Sequence, residues 1–188
     1  MGRYVVIDLE MCRVPKRFRK TYMHSMETIQ IGAAVLDENF HIEKTYSRYV
    51  KPQVGMLDST IARLTGIEGA DLYNADSFDV VLRDFSNWLP YECIMISWSL
   101  TDLSQLQKEM LYKGVSDEKI ESLFDTWVDA QVIFSEKIDN ERSYSVEEAL
   151  NLTAVSVIGS MHDGLSDAIF RRHLRDRCLA VCFWCNCL

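Results

Sequence analysis

The chain has 188 residues, 48% hydrophobic and 26% charged, with a net charge of −8; this size and balance suit one domain with a substantial core and exclude a disordered chain. No apolar run reaches the ~18 residues of a membrane span, and the short apolar stretch near the N-terminus carries Asp8 and Glu10, which is no signal-peptide pattern; a soluble cytoplasmic protein with no membrane partner is expected. The acidic balance argues against a protein that coats duplex nucleic acid, but not against an enzyme that grips a few nucleotides.

In chain order, RYVVIDLE (3–10) reads as a strand, TIQIGAAVLD (28–37) as a second and IEKTYSRYVKP (42–52) as a third, closed by Pro52. These three predict an antiparallel meander. DSTIARLTGI (58–67) reads as a short helix capped by Asp58 or Ser59 and ended near Gly66. ADSFDVVLRDFSNWLP (75–90) is amphipathic, with Phe78, Val81, Leu82, Phe85 and Leu89 on one face and Asp76 or Ser77 as cap. ECIMISW (92–98) is an apolar strand, expected near the sheet centre. Residues 100–114 form a helix stopped by Gly114, and 124–134 begin as a strand and turn helical. SVEEALNLTAV (145–155) is a helix with Ser145 and Glu148 at capping-box spacing. SDAIFRRHLRDRC (166–178) is the last helix. Strands first, then strand–helix alternation, predict an α/β layered domain: a mixed sheet with three N-terminal antiparallel strands and helices on both faces.

Two segments stand outside this pattern. RVPKRFRK (13–20) gathers Arg13, Lys16, Arg17, Arg19 and Lys20 around Phe18, either as a solvated loop or as a phosphate-gripping loop. The end of the chain, CLAVCFWCNCL (178–188), holds four of the six cysteines. Its C-x3-C-x2-C-x-C spacing is no standard zinc pattern, so an irregular tail after a domain spanning 1–177 is expected.

The chemistry begins with VVIDLE. In a strand, residues two apart share a face, so Asp8 and Glu10 aim two carboxylates at one place. Like charges at close range disfavour each other, unless a cation or open water offsets them. Asp102, in the first turn of the 100–114 helix, and Asp167, opening the last helix, are further acids. Each has a plain explanation as an acid at a helix N-terminus. His162, in MHDGLSDA, would alone pass for a surface histidine.

Taken together, D-x-E on the first strand, an Asp early in a middle helix and H-x4-D at the last helix resemble the signature of the DEDDh, or DnaQ-like, exonucleases. ETIQIGAAVLDENF, YVKP and LTGI resemble supporting blocks of that family, and the likeness covers about residues 3–175. Where many members carry His-Asn before the middle Asp, this chain reads SWSLTD. Its Ser97-Trp98 pair resembles the ERI-type and KapD-like branch, which acts largely on RNA.

The resemblance implies a ribonuclease H-like fold and a 3′→5′ exonuclease that releases nucleoside 5′-monophosphates from single-stranded RNA or DNA 3′ ends. It implies two divalent cations, Mg²⁺ or Mn²⁺, which prefer carboxylate oxygens. Asp8 would bridge both; Glu10 and Asp167 would hold the cation that activates water; Asp102 would serve the second. His162 would be the general base. Leu9, Met11, Cys12, Leu64 and Ile67 match positions that contact the terminal nucleotide, and Trp98 is placed to stack on a base, with core packing an equal reading of Leu64, Ile67 and Trp98. A DNA or short-oligonucleotide exonuclease and a catalytically silent binding module are the alternatives.

Overall fold

A computed structural model describes residues 2–22, 24–138 and 142–152. The expected helix 166–178, His162, Asp167 and the cysteine-rich tail lie outside these residues.

Five strands form one mixed sheet in the order β3-β2-β1-β4-β5. They are β1 (Arg3–Arg13), β2 (Met26–Leu36), β3 (Ile42–Tyr49), β4 (Cys93–Ser97) and β5 (Val128–Asp129). β1, β2 and β3 make the expected antiparallel meander. β4 joins β1 in parallel, and β5 joins β4 in parallel. The central strand is therefore β1, and β4 lies one place from the edge.

The helices are α1 (Arg19–Tyr22), α2 (Ser59–Thr65), α3 (Gly69–Asn74), α4 (Phe78–Trp88), α5 (Thr101–Lys113), α6 (Glu118–Ser122), α7 (Ala130–Lys137) and α8 (Val146–Leu152). Their ends follow the caps in the sequence. Asp58 accepts from the Thr60 and Ile61 amides, and Gly66, at φ 72°, closes α2 in the left-handed region where only glycine is unstrained. Ser145 and Glu148 exchange hydrogen bonds as a capping box. The helices α3 and α6 are too short to show a 3.6-residue pattern. Their caps carry them: Glu68 with Asp71, and Asp117 accepting from the Ile120 amide.

Helices pack on both faces of the sheet. Val5, Ile7 and Leu9 of β1 meet Ile31, Ala33 and Val35 of β2, and α4, α5 and α6 cover them with Val81, Leu82, Phe85, Leu106, Met110 and Ile120. On the other face Val6, Ala34, Leu36 and Ile96 pack with Ala130 of α7. β2 is buried on both faces, which suits the unbroken apolar run over 31–36. β1 runs three residues further than the sequence suggested, because β2 begins early enough to pair Cys12 with Glu27 and Arg13 with Met26.

Candidate active site

The ladder between β1 and β4 ends at Val6 and Ile96, while β1 continues, paired with β2 alone. The next residues on the Val6 face are Asp8 and Glu10, both half-buried. Gly32, which has no side chain, stands opposite Asp8, and Gln30 stands opposite Glu10. Just beyond, Ile29 is an extra residue on β2 between the Glu10–Gln30 and Met11–Thr28 pairs. Such a bulge re-aims side chains where regular pairing stops.

Asp102 reaches this strand end from 93 residues away. Its Oδ1 accepts the Leu9 amide at 2.9 Å, a donor that β4 no longer meets. α5 starts four residues after β4 ends, so its first turn lies at the carboxyl ends of β1 and β4, where open α/β sheets place their sites. Asp102 is 8% exposed. The middle acid of the sequence pattern is thereby bonded to the residue between the first two.

The donors are hard oxygens, and the buried Oε1 of Gln30 has no partner among the described residues. This chemistry fits Mg²⁺ or Mn²⁺ rather than a thiolate-loving metal. Among the described residues no group of three or more His, Cys, Asp or Glu stands in metal-binding geometry; the other two expected site residues, His162 and Asp167, lie outside them.

The residues expected to touch the terminal nucleotide divide by exposure. Leu64 is 42% exposed on α2, and Met11 is half-buried. The side chains of Leu9, Cys12 and Ile67 are core: Leu9 belongs to the cluster under α4 and α5, and Cys12 and Ile67 pack with Ile29, Ile61 and Leu72. Only their backbone is left for a ligand. Trp98 is half-buried, donates its indole N–H to the Tyr144 carbonyl at 2.8 Å and lies 5.6 Å from the Phe134 ring, so packing uses much of its surface. Ser97 is buried and accepts the Trp127 indole N–H at 2.8 Å.

Sequence reasoning missed the buried polar network beside this site. Lys113 Nζ lies 2.9 Å from Glu27 and 2.8 Å from Glu109, with all three side chains almost fully buried. Glu27 also accepts the backbone amides of Gln53, Val54 and Gly55 at 2.6, 3.0 and 2.5 Å. Glu109 accepts the Thr28 amide and hydroxyl, the Gln105 amide and the Tyr22 hydroxyl. A Cβ on Gly55 would collide with Cys12 Sγ, so glycine is required there. Burial, then the charges of Glu27 and Glu109, push the Cys12 thiol up to about 12, which leaves it an inert packing group. The available signal was an acid at the head of β2's apolar run and a polar stripe at 102, 105, 109 and 113 on one face of α5.

The exonuclease family model RNase_T matches residues 5–170. The chain belongs to this exonuclease family. Its members are nucleases, and so hydrolases, and the fold agrees. Cell-death related nuclease 4 (CRN-4) superposes with a TM-score of 0.72 at 20% identity, over 96% of this chain and 64% of that one. A 3′-exonuclease in 3′-end specific recognition of a histone mRNA stem-loop gives 0.72 at 19%, over 95% and 81%. E. coli exonuclease I in complex with a dT13 oligonucleotide gives 0.63 at 12%, over 94% and 40%. This chain thus spans less than two thirds of the CRN-4 chain and less than half of exonuclease I. A search of curated proteins finds no significant match.

Proposed function

We propose that this chain is a metal-dependent 3′→5′ exonuclease that hydrolyses the terminal phosphodiester of single strands, RNA preferred, and releases nucleoside 5′-monophosphates. The observation that carries the reading is the Leu9–Asp102 hydrogen bond at 2.9 Å, which joins the middle acid to the D-x-E strand. Family membership supplies the reaction class.

Asp8, Glu10, Asp102 and Asp167 would hold two Mg²⁺ or Mn²⁺ ions. Bound there, such a pair activates the attacking water and stabilises the leaving 3′-oxygen. His162 takes the proton from that water at a ring nitrogen, a role suited to its near-neutral ordinary pKa. The Leu9 amide holds one oxygen of Asp102, which fixes the carboxylate's orientation. Leu64 and Met11 offer apolar surface to the last bases. The preference for RNA rests on the Ser97–Trp98 pair. A reducing cytoplasm suits the free thiols of Cys12 and Cys93.

The test is a gel assay with 5′-labelled RNA and matching DNA in Mn²⁺, beside EDTA and Asp8→Ala controls. A one-nucleotide ladder on RNA, lost in both controls, is expected. A ladder on DNA alone would keep the mechanism and overturn the RNA preference. No ladder on either would leave a binding module or an enzyme for very short oligonucleotides.

A further inference from the structure

The cationic segment that follows β1 has no part in the chemistry above. β1 ends at Arg13, three residues past Glu10, or about 10 Å of strand. The chain then makes a 3₁₀ turn over Lys16–Phe18 and runs into α1. Both ends of this segment are pinned. Val14 is fully buried, and its amide bonds the Ser25 carbonyl at 2.9 Å. Tyr22 is fully buried, with its hydroxyl on Glu109. Between these anchors Lys16, Arg17, Arg19 and Lys20 are exposed.

Their charges lack local compensation. Elsewhere Arg3, Arg48 and Lys113 each face a carboxylate, and even Arg13 lies 3.4 Å from Asp58. Among the described residues no carboxylate stands within salt-bridge distance of Lys16, Arg17, Arg19 or Lys20. In a chain with 28 acids against 20 bases, four cations thus stand together on a pinned segment, where Arg19 donates its Nε to the Val14 carbonyl at 3.0 Å. Arg17 lies 4.8 Å over the Phe18 ring, so a flat apolar face sits within the charge. The Arg13–Asp58 pair and the Arg13–Met56 bridge tie this segment to the loop before α2, the helix that carries the exposed Leu64. The segment and α2 therefore flank the same end of β1.

We infer that residues 13–20 are a phosphate track for the part of a single strand upstream of its 3′ end. The inference rests on the proposed exonuclease reading and adds a length preference to it. Exposed cations beside an aromatic face bind single strands through phosphates and stacking without reading sequence. Strands long enough to reach the track are held more tightly than those that fill only the terminal site.

The experiment compares wild type with Lys16→Ala/Arg17→Ala/Lys20→Ala, on a single-stranded 20-mer and on a trinucleotide, from 50 to 200 mM salt. Arg83→Ala/Lys108→Ala/Lys137→Ala, three exposed cations elsewhere, is the control for net charge. The expected result is a KM for the 20-mer raised about tenfold or more. Its salt slope should fall by about 2, at ~0.7 for each phosphate no longer neutralised. The trinucleotide KM should move less than twofold, and the control should match wild type. An unchanged 20-mer KM and salt slope in the triple variant, or equal loss in the control, would overturn the inference. If wild type cleaves nothing, the exonuclease reading fails by itself, and fluorescence anisotropy of the labelled 20-mer in EDTA then decides the track. Tight binding that disappears in the triple variant supports it; no binding, or binding only to phosphatidylserine vesicles, overturns it.

Discussion

At the scale of single residues, Asp102 has two separable properties. Its oxygen accepts the Leu9 amide, and its charge faces the D-x-E strand. Asp102→Asn keeps an accepting oxygen and removes the charge. If the acid were only a helix-terminus residue, this change would cost a few tenths of a kcal/mol and nothing in turnover. The expected outcome is a melting temperature close to wild type with turnover reduced about 100-fold or more, beyond the loss seen when a group merely supporting a metal ligand is changed. Asp102→Ala should lose turnover and also about 1–3 kcal/mol, because the Leu9 amide is left buried without an acceptor. Urea titration beside the gel assay separates the two. A functional Asn variant would return Asp102 to the status of a cap.

At the scale of elements, α5 has opposite duties at its two ends. Its first turn carries Asp102, and its last turn carries Lys113 between Glu27 and Glu109. A lysine between two buried carboxylates is not a large net source of stability, but removing it strands both acids. Lys113→Met should therefore lower stability by about 3–5 kcal/mol, read as a fall of about 6–20 °C in Tm for a chain of this size. A loss under 1 kcal/mol would mean that water reaches the carboxylates. The sequence showed α5 as a helix stopped by glycine, and that was right. It could not show that Gln105, Glu109 and Lys113 turn inward, because a polar stripe on a helix ordinarily marks the wet face. Only the presence of Glu27 across the chain reverses that reading.

At the scale of the whole molecule, the meander, the apolar strand β4 and the two-faced helical cover were legible because alternation, apolar runs and cap residues act locally, whereas the parallel pairing of β4 with β1, one place from the edge rather than at the centre, rests on contacts across the chain. Not legible were the short helices α3 and α6, which have too few residues for a period to show, while β5 and the start of α7 fall inside the 124–134 segment read as a strand that turns helical. Of the candidate site, the shared face of Asp8 and Glu10 and the place of Asp102 in the first turn of α5 could be read from residue type and spacing, while the side chains of Cys12 and Ile67 lie in the core, a packing role that sequence does not distinguish from an apolar wedge. The acids gathered at the end of β1 also predict a response of the entire fold. A cation that binds them only in the native state raises stability by mass action, about 2.7 kcal/mol at a hundredfold excess over Kd. Differential scanning calorimetry should show Tm rising with Mn²⁺ and no such rise in Asp8→Asn; equal shifts in both would place the ion elsewhere.

The extra residue at Ile29 works as a phase shifter between two strands. Up to Glu10 the two strands keep step; beyond it they are offset by one residue, and the fully buried Glu27 and Thr28 keep their places through that offset. Chain length at this point is thus more constrained than side-chain identity. Losing one residue here would turn Glu27 to the opposite face, take a counter-charge from Lys113 and loosen the helix that presents Asp102, so that a change of spelling is tolerated where a change of count is not.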